Sequence, residues 1–399
     1  MQKFSKILDR NFIIILLILI SIGFASADII DAKLIPKDTT LGEVFTKNKW
    51  IFDKSYSLKD FYSSNPEIDL LVSNYMDFLT DEEKVAQLLI IPIGSNANSF
   101  EKAEVIARRY KVGGFIFLKN RSDDVKNYVK ELNELYERMN MIKPIFSVDG
   151  EPALLHMRLE GTKPLPYAGS IICEDECVDV SRKIADTLES FGIKYNFAPV
   201  CDYSENTDII GSRSFGGDAN HIIDFCKIFI DEMQQRNIVA TAKHFPGHGT
   251  INGDTHGRLI YIQGIPPELE IFQALIDYGV ISIMVGHIAV TDNGEYSTGG
   301  KPSTLSRKMV TEILKHKMGF KGIVITDAMT MNAVSGFKNP DIQALKAGCD
   351  IVLMPRDESS FIKRVTELIQ EDKELRLQVL ESVRKVLKLK VCLGIIYKK

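Results

Sequence analysis

Eight short apolar runs constrain this chain more than any other feature of its sequence. They fall at residues 88–92, 113–118, 144–148, 195–200, 238–242, 281–285, 322–326 and 350–354. Their apolarity is near-continuous rather than alternating, as expected of strands covered on both faces. Between them lie charge-laced stretches at 123–141, 178–191, 219–236, 267–278, 306–318 and 340–347. In the first of these Val125, Val129, Leu132, Leu135 and Met139 recur at helical spacing, and Ser306 stands where the N-cap of another belongs. Strand–helix alternation repeated eight times is the arithmetic of an α/β fold of the (β/α)8 TIM-barrel type. A doubly wound open sheet fits the same periodicity, because spacing does not report closure. With 45% hydrophobic and 26% charged residues, the composition excludes a disordered chain and a multi-span membrane protein.

The barrel is expected to fill residues 65–399 as one domain. Just before the first run, residues 68–87 form an amphipathic helical stretch. Thr80 is placed there as a cap, with Glu83 three residues on. Residues 361–392 predict a charged helical tail. Residues 28–64 are polar and mixed, and are expected to be an N-terminal extension. Residues 1–27 have the three parts of a secretory signal peptide: Lys3, Lys6 and Arg10, then an apolar run over 12–25, then Ala25-Ser26-Ala27. That run is short for a bilayer span, which needs about 20 residues. An uncleaved anchor is the alternative. Either way the body is expected to be exported, to a periplasmic or extracellular location. The formal charge is −4 with a basic leader, so the body is acidic and nucleic acid is not the expected partner. Six cysteines follow the leader. An even count permits disulfides in an exported chain. Cys173 and Cys177 resemble half of a zinc site that has no second pair, and Cys201 and Cys349 read as core residues.

The polar residues that follow the runs point to chemistry. Lys119 and Asn120 follow the second run, Asp149 the third, Asp202 the fourth, Lys243-His244 the fifth, His287 the sixth and Asp327 the seventh. In a barrel these positions gather at the C-terminal rim, where active sites are built. The segment 242–257 concentrates three of the seven histidines with Gly247, Gly249, Gly253 and Gly257. Asp254 and His256 are two apart, so an extended backbone points both side chains the same way, and a carboxylate beside an imidazole orients it and raises its basicity. Three readings stand at this level: proton transfer by His256, a zinc hydrolase using His244, His248, Asp254 and His256, and a glycine-rich surface loop. Pro246, Gly247 and Gly249 make the segment a poor helix for an H-x3-H zinc pair.

Lys243-His244-Phe245-Pro246-Gly247-His248-Gly249, followed by Asp254-Thr255-His256, resembles the signature of glycoside hydrolase family 3 in its beta-N-acetylglucosaminidase (beta-hexosaminidase) branch. Four other segments resemble motifs of that family in order. They are Asn196-Phe197-Ala198-Pro199-Val200 with Asp202, Ile210-Gly211-Ser212-Arg213-Ser214-Phe215-Gly216 with Asp218, Thr326-Asp327-Ala328-Met329-Thr330-Met331, and Ala347-Gly348 with Asp350-Ile351-Val352-Leu353-Met354. The likeness runs from about Leu79 to the last strand. It implies a single-domain, exo-acting, retaining enzyme that cleaves terminal beta-linked N-acetylglucosamine through a covalent glycosyl-enzyme. By the same resemblance Asp327 is the nucleophile, His256 the acid/base and Asp254 its orienting partner. Asp149, Arg213, Lys243 and His244 then bind sugar hydroxyls or the acetamide. No metal or other cofactor is implied, and the partner is an N-acetylglucosamine-containing glycan, with no membrane beyond an uncleaved anchor.

The chain departs from the family at the third strand. The family has Asp-x-Glu-Gly-Gly and then an arginine that contacts sugar. Here the segment reads Asp149-Gly150-Glu151-Pro152-Ala153, the arginine position is Met157, and Arg158 stands one residue late. Arg158 substitutes only if the loop re-registers. Export together with sugar specificity points to peptidoglycan or its fragments, with chitooligosaccharides as the alternative. A phosphorolytic relative, a zinc-dependent hydrolase and a non-catalytic sugar-binding barrel are the rival functions. Beta-glucosidases of the family usually take their acid/base from a second domain, and the segment after residue 354 is too short to supply one.

Overall fold

The computed structural model describes residues 56–95, 97–203, 210–248 and 259–396. The leader, the extension up to residue 55, and the pair Asp254 and His256 lie outside the described residues. From Ser55 onward the chain forms one compact unit.

Each apolar run is a strand: β1 Leu89–Gly94, β2 Gly114–Leu118, β3 Ile145–Val148, β4 Tyr195–Asn196, β5 Val239–Phe245, β6 Ser282–Val285, β7 Ile323–Thr326 and β8 Val352–Leu353. All are parallel, in the order β7-β6-β5-β4-β3-β2-β1-β8. The ring closes where Ile325 of β7 bridges Ile351, just ahead of β8. Closure decides for the barrel over the open, doubly wound sheet. The strands are buried along nearly their whole length, and Phe115, Phe117 and Phe146 stack inside with centroids 6.3 and 5.9 Å apart. β4 is shorter than its apolar run because Pro199 has no N–H to give the ladder. Pairing resumes only at a bridge between Val200 and Lys243.

The helices alternate with the strands as the periodicity predicts, with four differences. Phe100–Tyr110 is a helix with no counterpart among the expected stretches. Its buried residues Ala103, Ile106 and Ala107 are small or isolated among charges, so its stripe is faint, although Ser99 Oγ caps it by accepting from Lys102 N. The stretch 68–87 is two helices, Pro66–Phe78 and Asp81–Ala86, broken at the Thr80–Glu83 capping box. The tail is likewise two, Glu358–Glu371 and Lys373–Cys392. Lys308–Lys317 winds as a π-helix, and Ser306 Oγ caps its start by accepting from Met309 N.

The N-terminal face of the barrel is tied down by the chain ends. Tyr56, Leu58 and Phe61 are buried, Leu58 N donates to Asn237 Oδ1 (2.7 Å), and the Tyr62 hydroxyl donates to the Val280 carbonyl (2.5 Å). Buried Asp350 accepts from Lys315 Nζ (3.0 Å), Ser382 Oγ (2.8 Å) and Val324 N (2.9 Å), fastening the last helix beneath β7. The opposite rim is left for other residues. Among the described residues no helix is long and apolar enough to cross a membrane.

Candidate active site

At the C-terminal rim the end of β3 supplies two carboxylates, Asp149 and Glu151. Gly150 between them is held by a reciprocal amide pair: its N–H donates to Asn196 Oδ1 (2.8 Å) and its carbonyl accepts from Asn196 Nδ2 (3.2 Å). A Cβ at residue 150 would lie 2.7 Å from that Asn196 oxygen, so only glycine lets the loop sit so close to β4.

Glu151 is 1% exposed. It accepts from Arg213 Nε and Nη2, both at 2.8 Å, and from Lys243 Nζ at 2.5 Å. Burial alone would raise its carboxyl, but Lys243 and Arg213 outweigh burial and hold it well below the usual carboxylate range. Lys243 also donates to Asp149 Oδ1 (3.0 Å). Burial works against its ammonium, and Asp149 and Glu151 overcome it and raise the pKa. The Lys243 ammonium therefore stands charged in a nearly water-free setting, which a polar ligand must complete.

Asp202, after β4, anchors the segment that follows β5. Its Oδ2 accepts from His244 N (3.1 Å) and His244 Nδ1 (2.8 Å), and its Oδ1 from His248 N (2.9 Å) and His248 Nδ1 (2.9 Å). Burial opposes the charge of this carboxylate, yet the two imidazoles bring its pKa far below the ordinary value. With Nδ1 of each ring against a carboxylate oxygen, Nδ1 carries the proton. Burial pushes His244 below its ordinary pKa against the pull of Asp202, so at neutral pH its Nε2 is a free-lone-pair acceptor. Peptide bonds 243–244 and 245–246 in this segment are cis. Gly247 has φ +116°, and a Cβ there would fall 2.2 Å from Glu268 Oε2.

Asp202, His244 and His248 are the candidate metal cluster among the described residues, with ligand-type atoms all within 4.8 Å of one another. All four N–H groups fall on the Asp202 oxygens, however, so that carboxylate is occupied as a hydrogen-bond anchor. The segment is not a helix, so the H-x3-H spacing does not act as the zinc reading requires.

Asp327 directly follows β7, partly exposed at the rim. Its N–H donates to the Val285 carbonyl (2.9 Å) and its Oδ1 accepts from Ala328 N (2.7 Å). Burial raises its pKa, but the neighbouring His287 and His244, the Ala328 N–H and the Lys243 ammonium together lower it below the ordinary value, so it is an anion at neutral pH. His287 braces the same turn: Nε2–H donates to the Ala328 carbonyl (3.0 Å), and Nδ1 pairs with Thr304 Oγ1 (2.8 Å).

In the altered third-strand loop Ala153 adopts φ +65°, Met157 is 47% exposed, and Arg158, at the end of the short helix Leu155–Arg158, brings Nη2 to 3.6 Å from Asp149 Oδ2. The structure thus gathers Asp149, Arg213, Lys243 and Arg158 into one ion network at the rim, holds His244 in a second cluster with Asp202 and His248, and sets Asp327 where it feels the charge of Lys243. Asp254 and His256 belong to the undescribed residues 249–258. Sequence reasoning did not assign Glu151, Asp202, His248 or His287 as holders of the site. Their signal was their place just after strands or inside the glycine-rich segment. A carboxylate anion, a neutral imidazole acceptor and a desolvated ammonium on one rim suit attack on a polar, uncharged electrophile bearing several hydroxyls.

The family model described as glycosyl hydrolase family 3 N terminal domain matches residues 80–389. A beta-hexosaminidase of Tolumonas auensis is 30% identical over 268 residues, covering 63% of this chain and 78% of that protein. A beta-hexosaminidase of Pasteurella multocida is 27% identical over 326 residues, covering 74% of this chain and 89% of that protein. Among solved structures, a glycoside hydrolase family 3 beta-N-acetylglucosaminidase from Paenibacillus sp. str. FPU-7 superposes with a TM-score of 0.71 at 26% identity. The superposition covers 80% of this chain and 64% of that one.

Proposed function

This chain belongs to glycosyl hydrolase family 3, and from that premise we propose that it is a beta-N-acetylhexosaminidase releasing terminal beta-linked N-acetylglucosamine. The observation that carries the reading is Asp327, a carboxylate anion just after β7, set at the mouth of the barrel beside His287, His244 and the Lys243 ammonium. In this reading Asp327 attacks the anomeric carbon, the bond to the leaving oxygen breaks, and a covalent glycosyl-enzyme forms. His256 protonates the departing oxygen and then takes a proton from the incoming water, with Asp254 holding its tautomer. Asp149, Lys243, His244, Arg158 and Arg213 position the sugar: Lys243, Arg158 and Arg213 donate to its oxygens, and the Asp149 carboxylate and the His244 Nε2 lone pair accept from its hydroxyls. Arg213 works in part through Glu151, which fixes both it and Lys243.

The leader supports export, and export with this sugar specificity supports peptidoglycan or its fragments as the natural substrate. The test is release of nitrophenol from the beta-N-acetylglucosaminide beside the matching beta-glucoside, without phosphate and with phosphate added. Asp327→Ala and His256→Ala should each lose at least about 10²-fold in kcat. The first product seen by NMR should be the β-anomer. Near wild-type turnover by Asp327→Ala would refute the nucleophile, and a rate that requires phosphate would make the enzyme a phosphorylase.

A further inference from the structure

The turn that follows Asp327 is held from two sides. On one side His287 Nε2–H donates to the Ala328 carbonyl (3.0 Å). On the other, the end of β8 and the chain beyond it are stitched to the same turn. Leu353 N donates to Thr326 Oγ1 (3.0 Å), and Met329 N donates to the Leu353 carbonyl (3.0 Å). Arg356 completes the row: its Nε donates to the Met329 carbonyl (2.9 Å) and its Nη2 to the Met331 carbonyl (3.2 Å).

Three observations set Arg356 apart from an ordinary surface arginine. Its guanidinium is a rigid fork that reaches two carbonyls of one turn at once, which the single ammonium of a lysine does not reproduce. The backbone is strained on the way to it: Met354, between β8 and Arg356, has φ +50°, a left-handed conformation that a non-glycine residue keeps only where its surroundings impose it. Asp341, at the start of the helix Pro340–Ala347, is 8% exposed, and its carboxylate faces the Arg356 backbone N–H and feels the guanidinium charge.

The Arg356 side chain is exposed. Carbonyls at an open rim are satisfied by water just as well, so what the guanidinium adds is fixed geometry rather than a needed donor. That geometry matters here. Asp327 Oδ1 accepts from Ala328 N of the same turn (2.7 Å), so a rotation of the turn carries the carboxylate with it. A reacting group displaced by about 1 Å loses up to about 10²-fold in rate.

We propose that Arg356 is a positioning residue for the nucleophile: by gripping the Met329 and Met331 carbonyls it fixes the turn, and with it the angle at which the Asp327 carboxylate faces the anomeric carbon. It acts through the backbone of the turn and not on the sugar. The assignment rests on the reading of Asp327 given above.

The experiment measures kcat and KM of the full-length protein on 4-nitrophenyl beta-N-acetylglucosaminide for the wild type, Arg356→Ala and Arg356→Lys, with kcat expressed per folded molecule and melting temperatures taken alongside. Arg356→Ala should lower kcat about tenfold and leave KM within about twofold. Arg356→Lys should recover little of the loss, and it decides by the same split of kcat from KM should Arg356→Ala not fold. A lower melting temperature with kcat intact would make Arg356 a merely structural residue and overturn the proposal. A raised KM at unchanged kcat would put Arg356 on the sugar and overturn it too, as would full activity in Arg356→Lys. Each of these results leaves the proposed function standing. A wild type that does not hydrolyse the glycoside would refute the proposed function, and this role with it.

Discussion

Glu151 sits where two cations compete for one carboxylate, and its charge is what lets both stay buried. Lys243 and Arg213 each lose water on entering the rim, and each recovers it in a bond to the same pair of oxygens. Glu151→Gln keeps the shape and removes the charge, turning one accepting oxygen into a donor that faces a cation. We expect a loss on the order of 3 kcal/mol in folding stability and at least about a tenfold fall in kcat/KM, since Lys243 loses its fixed position. Chemical denaturation and steady-state rates measure the two. The pH dependence has a definite sign. The folded pKa of Glu151 is depressed, so its contribution is present above the unfolded value of about 4.3 and is lost as pH falls toward the folded value. The wild type should therefore lose stability between pH 5 and about 2 more steeply than Glu151→Gln. Equal acid sensitivity of the two proteins would show that the ion cluster contributes nothing net. Asp202 has the same sign for the same reason, with two imidazoles in place of the two cations.

At the scale of elements, the tail helices show how a single side chain sets a boundary that hydrophobic spacing runs through. Val365, Ile369, Leu375, Val379, Val383 and Val386 are all buried, and their spacing continues across Asp372 with little interruption. Asp372 nevertheless leaves the helix, at φ −107° and ψ 103°, and its Oδ1 accepts from Leu375 N at 3.0 Å. Asp372→Ala removes that cap and should cost about 1 kcal/mol, read as a lower melting temperature with unchanged kcat; no change in melting temperature would mean that packing alone sets the break. The barrel strands were legible for the opposite reason. A strand covered on both faces writes one unbroken apolar run, and all eight appeared in the sequence within a few residues of their ends. β4 was overcalled because its apolar run continues past Pro199, which cannot donate to a ladder. The helix Phe100–Tyr110 was not foreseen because Ala103 and Ala107 bury little surface each. The Thr80 boundary was half legible: its capping box is a four-residue pattern, but a box inside a helical stretch reads as decoration until the chain is seen to turn.

Across the whole molecule the two ends of the barrel hold different kinds of buried charge, and the difference explains what the sequence could and could not tell. At the rim, residue type and position after a strand already marked Asp149, Lys243, His244 and Asp327. Their partners were not visible, because Glu151 meets Arg213 across 62 residues of chain and His244 meets Asp202 across 42. Only the closed ring makes those neighbours. At the other end Lys390, on the last helix, is 0% exposed, and nothing in its sequence surroundings separates it from the solvated lysines of the same helix. Its Nζ donates to Gln87 Oε1 (2.7 Å) and to the Lys143 carbonyl (3.0 Å), two neutral acceptors and no carboxylate. Burial lowers its pKa to about 7, against about 10.4 in the unfolded chain. Between these values the unfolded state binds the extra proton, so folding stability rises with pH from about 7 toward 10. Below pH 7 both states are protonated and the fold bears the full cost of the buried charge. Lys390→Met has no proton to lose. Urea unfolding at pH 7 and pH 9 should show the wild type gaining roughly 1–3 kcal/mol over that interval, with the variant gaining markedly less. The comparison of slopes isolates the ammonium from the two acceptors that methionine leaves unmatched, because those cost the same at both pH values. Parallel pH dependence in wild type and variant would mean that Lys390 reaches water through the base of the barrel, and that the last helix does not seal it.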